Sequence, residues 1–127
     1  MAYPYEPPVQ NKMVLISFAD FGAASSVFIP TGFNGRIKRI SAVTSVAATG
    51  ADTIVTPKIG NTGNTTGTAV TNGALTLPLT GASIGYVGVS VPTGLNVFAA
   101  TDFIRLDSDG GATNSVPGSV LLELEPT

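Results

Sequence analysis

Asp107-Ser108-Asp109-Gly110-Gly111 packs two carboxylates and a hydroxyl ahead of a glycine pair. Hard cations such as calcium take several oxygen ligands, and closely spaced aspartates on a glycine turn can supply them. The helix-flanked calcium loop wants Asp or Asn at its fifth position, Gly at its sixth and Glu at its twelfth. Counted from Asp107, those positions hold Gly111, Ala112 and Gly118, so the stretch reads as turn-forming Asp and Gly rather than a metal loop. Asp52, Asp102 and Asp107 are the carboxylates that a glycosidase pair would draw on, but each lies at an expected strand end, where Asp is common. A serine or threonine nucleophile needs a base. The chain has no histidine, which leaves Lys12, Lys38 or Lys58 for that work, and no motif places one beside a hydroxyl. The residues point away from an enzyme.

Two other stretches can do chemistry by contact. Arg36, Lys38 and Arg39 gather three of the six basic residues. They read either as a solvated strand end or as a contact point for an acidic surface, where an arginine fork grips carboxylates well. Glu123-Leu124-Glu125 near the C-terminus has the opposite sign, and the two groups could meet across subunits of an oligomer. Residues 1–12, MAYPYEPPVQNK, form a proline-rich arm. Pro4, Pro7 and Pro8 favour extended polyproline backbone, and Tyr3 and Tyr5 add two large amphipathic rings. The expectation is an arm that docks on a neighbour.

Composition limits the rest. Hydrophobic residues make up 43% of the 127 and charged residues 11%, against roughly 25% charged in an ordinary domain. Sixteen threonines, fifteen glycines and nine prolines give an all-β composition. Six basic against eight acidic residues leave a net charge of −2, which argues against nucleic acid as a direct partner. With no cysteine there is neither a disulfide framework nor a thiolate metal site, and no cofactor is implied. The N-terminus lacks the basic-then-apolar order of a signal peptide, and no run approaches the roughly 18 apolar residues of a membrane span. A protein made in a cytoplasm, with no membrane partner, is expected.

The elements follow from period-two patterning. Residues 13–18 are apolar in both phases. Residues 25–30 are a strand, 31–35 a glycine-bearing corner, and 36–46 the longest strand. In that strand Ile37 sits in one phase and Ile40, Ala42, Thr44 and Val46 in the other, which predicts a bulge or bend at Lys38-Arg39. Such a bend could let one strand serve both sheets. Pro57 predicts a sheet edge for the strand over residues 52–59. Residues 60–67, GNTGNTTG, look like a phosphate loop only superficially, since no Lys-Ser/Thr pair and no helix follow; a surface loop is expected. Leu75, Leu77 and Leu79 alternate with polar residues, as do Ile104 and Leu106, and Val120, Leu122 and Leu124. Val87, Val89 and Val91 share one phase. No helical period appears. The reading is an all-β β-sandwich, jelly-roll-like, of eight to ten short strands: one domain over residues 13–127 behind an extended proline-rich N-terminal arm over 1–12.

The order of these segments resembles the small β-sandwich head proteins of tailed bacteriophages, of the decoration or cement type. The resemblance rests on Val27-Phe28-Ile29-Pro30, Gly35-Arg36-Ile37, the run from Thr68 to Leu77, Pro92-Thr93-Gly94-Leu95-Asn96-Val97, Asp102-Phe103-Ile104 and Asp109-Gly110-Gly111. It spans residues 25–125 and leaves out the arm. It implies a structural virion protein, made in the host cytoplasm, that sits on the outer surface of a capsid as a homo-trimer. There it would clamp neighbouring major capsid proteins and have no catalytic role. The alternative is a carbohydrate- or receptor-binding jelly roll of a phage fibre or tail. Sugar faces usually present exposed aromatics, and this chain has no Trp and, outside the arm, only Tyr86 among its tyrosines.

Overall fold

The computed structural model describes residues 10–77 and 87–127. Among them are ten strands: β1 (Lys12–Phe18), β2 (Ala24–Pro30), β3 (Gly35–Thr44), β4 (Thr53–Asn61), β5 (Asn64–Ala69), β6 (Leu75–Leu77), β7 (Val87–Ser90), β8 (Val97–Phe98), β9 (Phe103–Asp109) and β10 (Gly118–Pro126). The residues of the arm up to position 9, and positions 78–86 with Leu79 and Tyr86, lie outside the described residues.

The strands form two antiparallel sheets of five. The first runs β1-β10-β3-β7, with β8 also on β3; the second runs β2-β9-β4-β5, with β6 also on β4. The pairing is nested. β1 pairs with β10, β2 with β9, β3 with β7, and β4 with β5 and β6. A long hairpin folded over itself gives this order, which is a jelly roll. Strands adjacent in sequence mostly sit in opposite sheets, so Gly35 starts β3 only after a corner that leaves the second sheet. Gly32 takes that corner at φ 73, a backbone region that suits glycine. The Thr31 hydroxyl fastens it by donating to the carbonyls of Ala99 (2.7 Å) and Asp102 (2.9 Å).

The inward phases meet the sequence reading. Ile37, Ile40 and Ala42 of β3, Val120, Leu122 and Leu124 of β10, Leu75 and Leu77 of β6, and Ile104 and Leu106 of β9 are all buried. Phe21, in the β1–β2 connection, closes one end of the core. Its ring stacks on Phe18 at 4.5 Å. Its carbonyl accepts from the buried hydroxyls of Ser108 (2.6 Å) and Thr53 (3.1 Å), so these polar groups enter the core with a partner.

The expected bulge is present. β10 pairs Glu123 with Arg39 and Leu124 with Ile37, leaving Lys38 as the extra residue. One inserted residue turns both Ile37 and Ile40 inward while Arg36 and Arg39 stay exposed. The bend does not carry β3 into both sheets, however: all its partners, β10, β7 and β8, belong to the first.

Two further expectations are corrected. Pro57 does not mark a sheet edge, because β4 lies between β9 and the β5/β6 pair. β6 faces Thr53–Val55 and β5 faces the strand from Lys58 onward, so Pro57 falls in the gap between them. Its carbonyl accepts from Val70 N at 3.0 Å on that side. A residue's N–H and C=O point to the same neighbour, so the donor that proline lacks is the one the gap does not need. Residues 60–67 are not a loop either. β4 continues to Asn61 and β5 begins at Asn64, leaving only Thr62-Gly63 as the turn of an exposed hairpin. Similarly β9 runs on through Ser108 to Asp109, and β1 takes in Lys12.

Candidate interaction face

The outer faces of the two sheets differ in chemistry. On the second, β2, β9 and β4 present a closed polar network. Asp107 accepts from Arg105 Nε (2.6 Å) and Ser26 Oγ (2.7 Å) and pairs with Lys58 Nζ at 2.8 Å. The Arg105 guanidinium also lies 5.2 Å over the ring of Phe28, whose edge contact with Phe103 is 5.3 Å. Partial burial raises the Asp107 pKa, but the bonds from Lys58, Ser26 and Arg105 and the Lys58 charge outweigh it and hold the carboxyl below its usual value.

The outer face of the first sheet is apolar in its middle. Register places Leu15, Leu121, Ser41 and Val89 in one row across β1, β10, β3 and β7. The next row runs Ser17, Ser119 and Val43. Leu15 is 69% exposed, Met13 57% and Val89 51%, with Leu121 and Val43 also open to solvent. Val89 of β7 therefore faces outward, while Gly88 and Ser90 on either side of it are buried. Two shallow hollows run into one another here. One of about 240 Å³ lies between Leu15, Val43, Ser119 and Leu121, the other of about 280 Å³ between Met13, Arg39, Leu121 and Glu123, and Ser41 lines both. These exposed apolar side chains are contiguous on one sheet face rather than scattered singly.

The three basic candidates divide at this face. Arg36 and Lys38 both bind Glu125, at 2.7 and 3.1 Å. These contacts are made within one chain, so the basic cluster and the acidic tail do not need a second subunit to meet. The Lys38 hydrogen bond and the two cationic charges hold the Glu125 carboxyl below its usual value. Arg39 stands apart. It makes no ion pair or hydrogen bond among the described residues, whereas Lys12 lies over the Phe33 ring and the other four cations have carboxylate partners. An unpaired arginine beside aliphatic side chains is the composition of an interface hot spot. Tyr3, Pro4, Tyr5, Pro7 and Pro8 lie outside the described residues.

A smaller apolar spot lies at the other edge, where Leu95 and Val97 are exposed beside Ile59 and Thr68. Leu95 holds φ 51, a left-handed conformation costly for a leucine. The Asn96 amide, donating to Ile37 O at 2.8 Å, fixes the segment.

The carboxylates weighed as an acid/base pair do not gather. Asp102 precedes β9 and caps Ala99 N at 2.8 Å, whereas the Asp52 carbonyl lies beside Gly111 past the other end of that strand. Asp109 accepts from the backbone N–H groups of Ile54 (2.9 Å) and Gly111 (3.0 Å), the work of a turn aspartate. Among the described residues no group of three acidic, histidine or cysteine side chains could hold a metal, and no helix is long and apolar enough to cross a membrane. No protein-family model matches the chain, and no curated protein matches it.

Proposed function

We propose that this chain is a structural virion protein: a decoration or cement protein that binds the outer surface of a phage head and stabilises contacts between major capsid proteins. The observation that carries the reading is the difference between the two outer faces. One satisfies its own charges through Asp107 and packs Arg105 on Phe28. The other leaves Leu15, Val89 and their neighbours open around Arg39, which is unpaired among the described residues. Only the second gains from a partner: covering it removes apolar surface from water at roughly 25 cal/mol per Å² and gives the guanidinium a carboxylate.

The role asked of such a protein is passive. A ligand that binds only the assembled shell stabilises it by mass action, and many copies, each spanning a subunit boundary, add their effects. Three copies about a symmetry axis, the arrangement the resemblance implies, would set three such faces on adjoining shell subunits. No catalysis is needed, and the carboxylates are already committed to capping and ion pairs. A sugar-binding role has less support, because Phe28, an exposed aromatic ring, has one face taken by Arg105. Co-sedimentation of the purified chain with undecorated shells tests the proposal; a chain that stays in the supernatant at saturating concentration overturns it.

A further inference from the structure

Arg39 and Glu123 sit side by side on the open face of the first sheet. They carry opposite charges, yet neither makes an ion pair among the described residues. Glu123 accepts the Asn11 amide at 3.4 Å, a long bond. We propose that a second copy of the chain covers this face. The two sheets would meet face to face about a two-fold axis that runs along the strands, between β10 and β3.

The register fixes what such an axis brings together. It lays β10 on the partner's β3 and β1 on the partner's β7, and it keeps each row opposite itself. Glu123 then faces the partner's Arg39, and the symmetry makes that contact twice. On the next row Leu121 lies on the partner's Ser41, and Leu15 on the partner's Val89. On the third, Ser119 lies on the partner's Val43. Charge meets opposite charge, large meets small, and apolar meets apolar at the sides. Ser41 lines both hollows of the face, about 240 and 280 Å³, so the partner's Leu121 has space to enter. An axis across the strands does not do this. It sets each strand on its own copy, so Arg39 comes over β3 and never over a carboxylate of β10.

The dimensions suit a reversible contact. Packed sheets lie about 10 Å apart with strands within about 30° of alignment, a gap that Arg and Glu side chains bridge. Four strands at about 4.8 Å and three rows at about 7 Å give roughly 400 Å² of face a side. That is the small end of specific interfaces. The dimer does not rest on the virion role. On that role, the second copy keeps the apolar rows covered in the free protein, and the shell displaces it.

Sedimentation of the full-length chain over roughly 1 to 500 μM tests the proposal. The expected result is a monomer–dimer equilibrium. Arg39→Glu and Glu123→Arg should each weaken it about tenfold or more, since each sets like charges on one another at two places. Mixing the two variants should restore dimers, because every such contact then pairs Glu with Arg. The axis has its own test. The chain has no cysteine. Leu15 and Val89 lie three strand spacings apart within one chain, about 14 Å, too far for an internal disulfide. Leu15→Cys with Val89→Cys should therefore oxidise to a closed covalent dimer. Monomers at every concentration, dimers indifferent to the charge reversals, a mixture that stays monomeric, or ladders in place of the closed dimer would each overturn the proposal. Monomers that still bind shells would overturn it and leave the virion role standing.

Discussion

Arg39 and Glu123 face each other across the β3–β10 pairing, yet they form no ion pair. Glu123 takes the Asn11 amide instead, and Arg39 is left exposed beside Met13 and Leu121. A cation held beside the bulge, with aliphatic neighbours, is open to a carboxylate that comes from above the sheet. That placement ties the fold to the contact reading.

If the apolar row is a contact surface, its residues should matter for binding and not for folding. Leu15→Ser and Val89→Ser should each change unfolding free energy by no more than about 0.5 kcal/mol, since the side chains are already exposed. Together they should weaken association with shells by roughly tenfold or more. Denaturant titration and co-sedimentation measure the two effects separately.

The end of the core should respond in the opposite way. Phe21 is fully buried and stacked on Phe18. Phe21→Ala should cost about 4 kcal/mol, as a large cavity opens where nothing can collapse into it. Urea unfolding would show this as a lower midpoint with unchanged slope. Loss of less than about 1 kcal/mol would mean that the stack is not part of the core.

The bulge allows a sharper test. Lys38→Ala should be nearly silent, because the side chain is exposed and its bond to Glu125 is a surface contact. Deleting Lys38 removes the extra residue and throws Ile37 or Ile40 to the outer face, costing about 3 kcal/mol or more. Comparing the two melts separates backbone register from side-chain chemistry.

Acid should expose the second sheet's network. Asp107 titrates lower in the folded chain than in the unfolded one. Its contribution is therefore complete above the unfolded-state value and is lost as pH falls through the folded-state value, below about pH 4. Asp107→Asn should lower stability by about 1 kcal/mol near neutral pH, and the two stability curves should converge in acid. Parallel curves would contradict the assignment.

Much of this fold is legible in the sequence. The phase slip at Ile37 and Ile40 points to a bulge or bend because a period of two cannot hold both on one face without an extra residue. Leu75, Leu77, Ile104 and Leu122 show their inward side by alternation. The contact face is not legible in the same way. Met13, Val14, Leu15 and Ile16 are apolar in both phases, so alternation cannot say which pair faces water; only the partner sheet does. The outward side of Val89 is hidden for a related reason, since its buried neighbours are small, Gly88 and Ser90. Pro57 reads as an edge because a break in the neighbouring strand leaves no local signal. The β4–β5 hairpin hides in a Gly/Asn/Thr run whose composition suits a loop and an exposed strand alike.

Imaging the particle from which this chain comes tests the central claim most directly. The account predicts density for the chain on the outside of the shell, with the β1-β10-β3-β7 face turned towards the capsid subunits and Arg39 within reach of a carboxylate. Density confined to fibre tips, away from the shell, would contradict it.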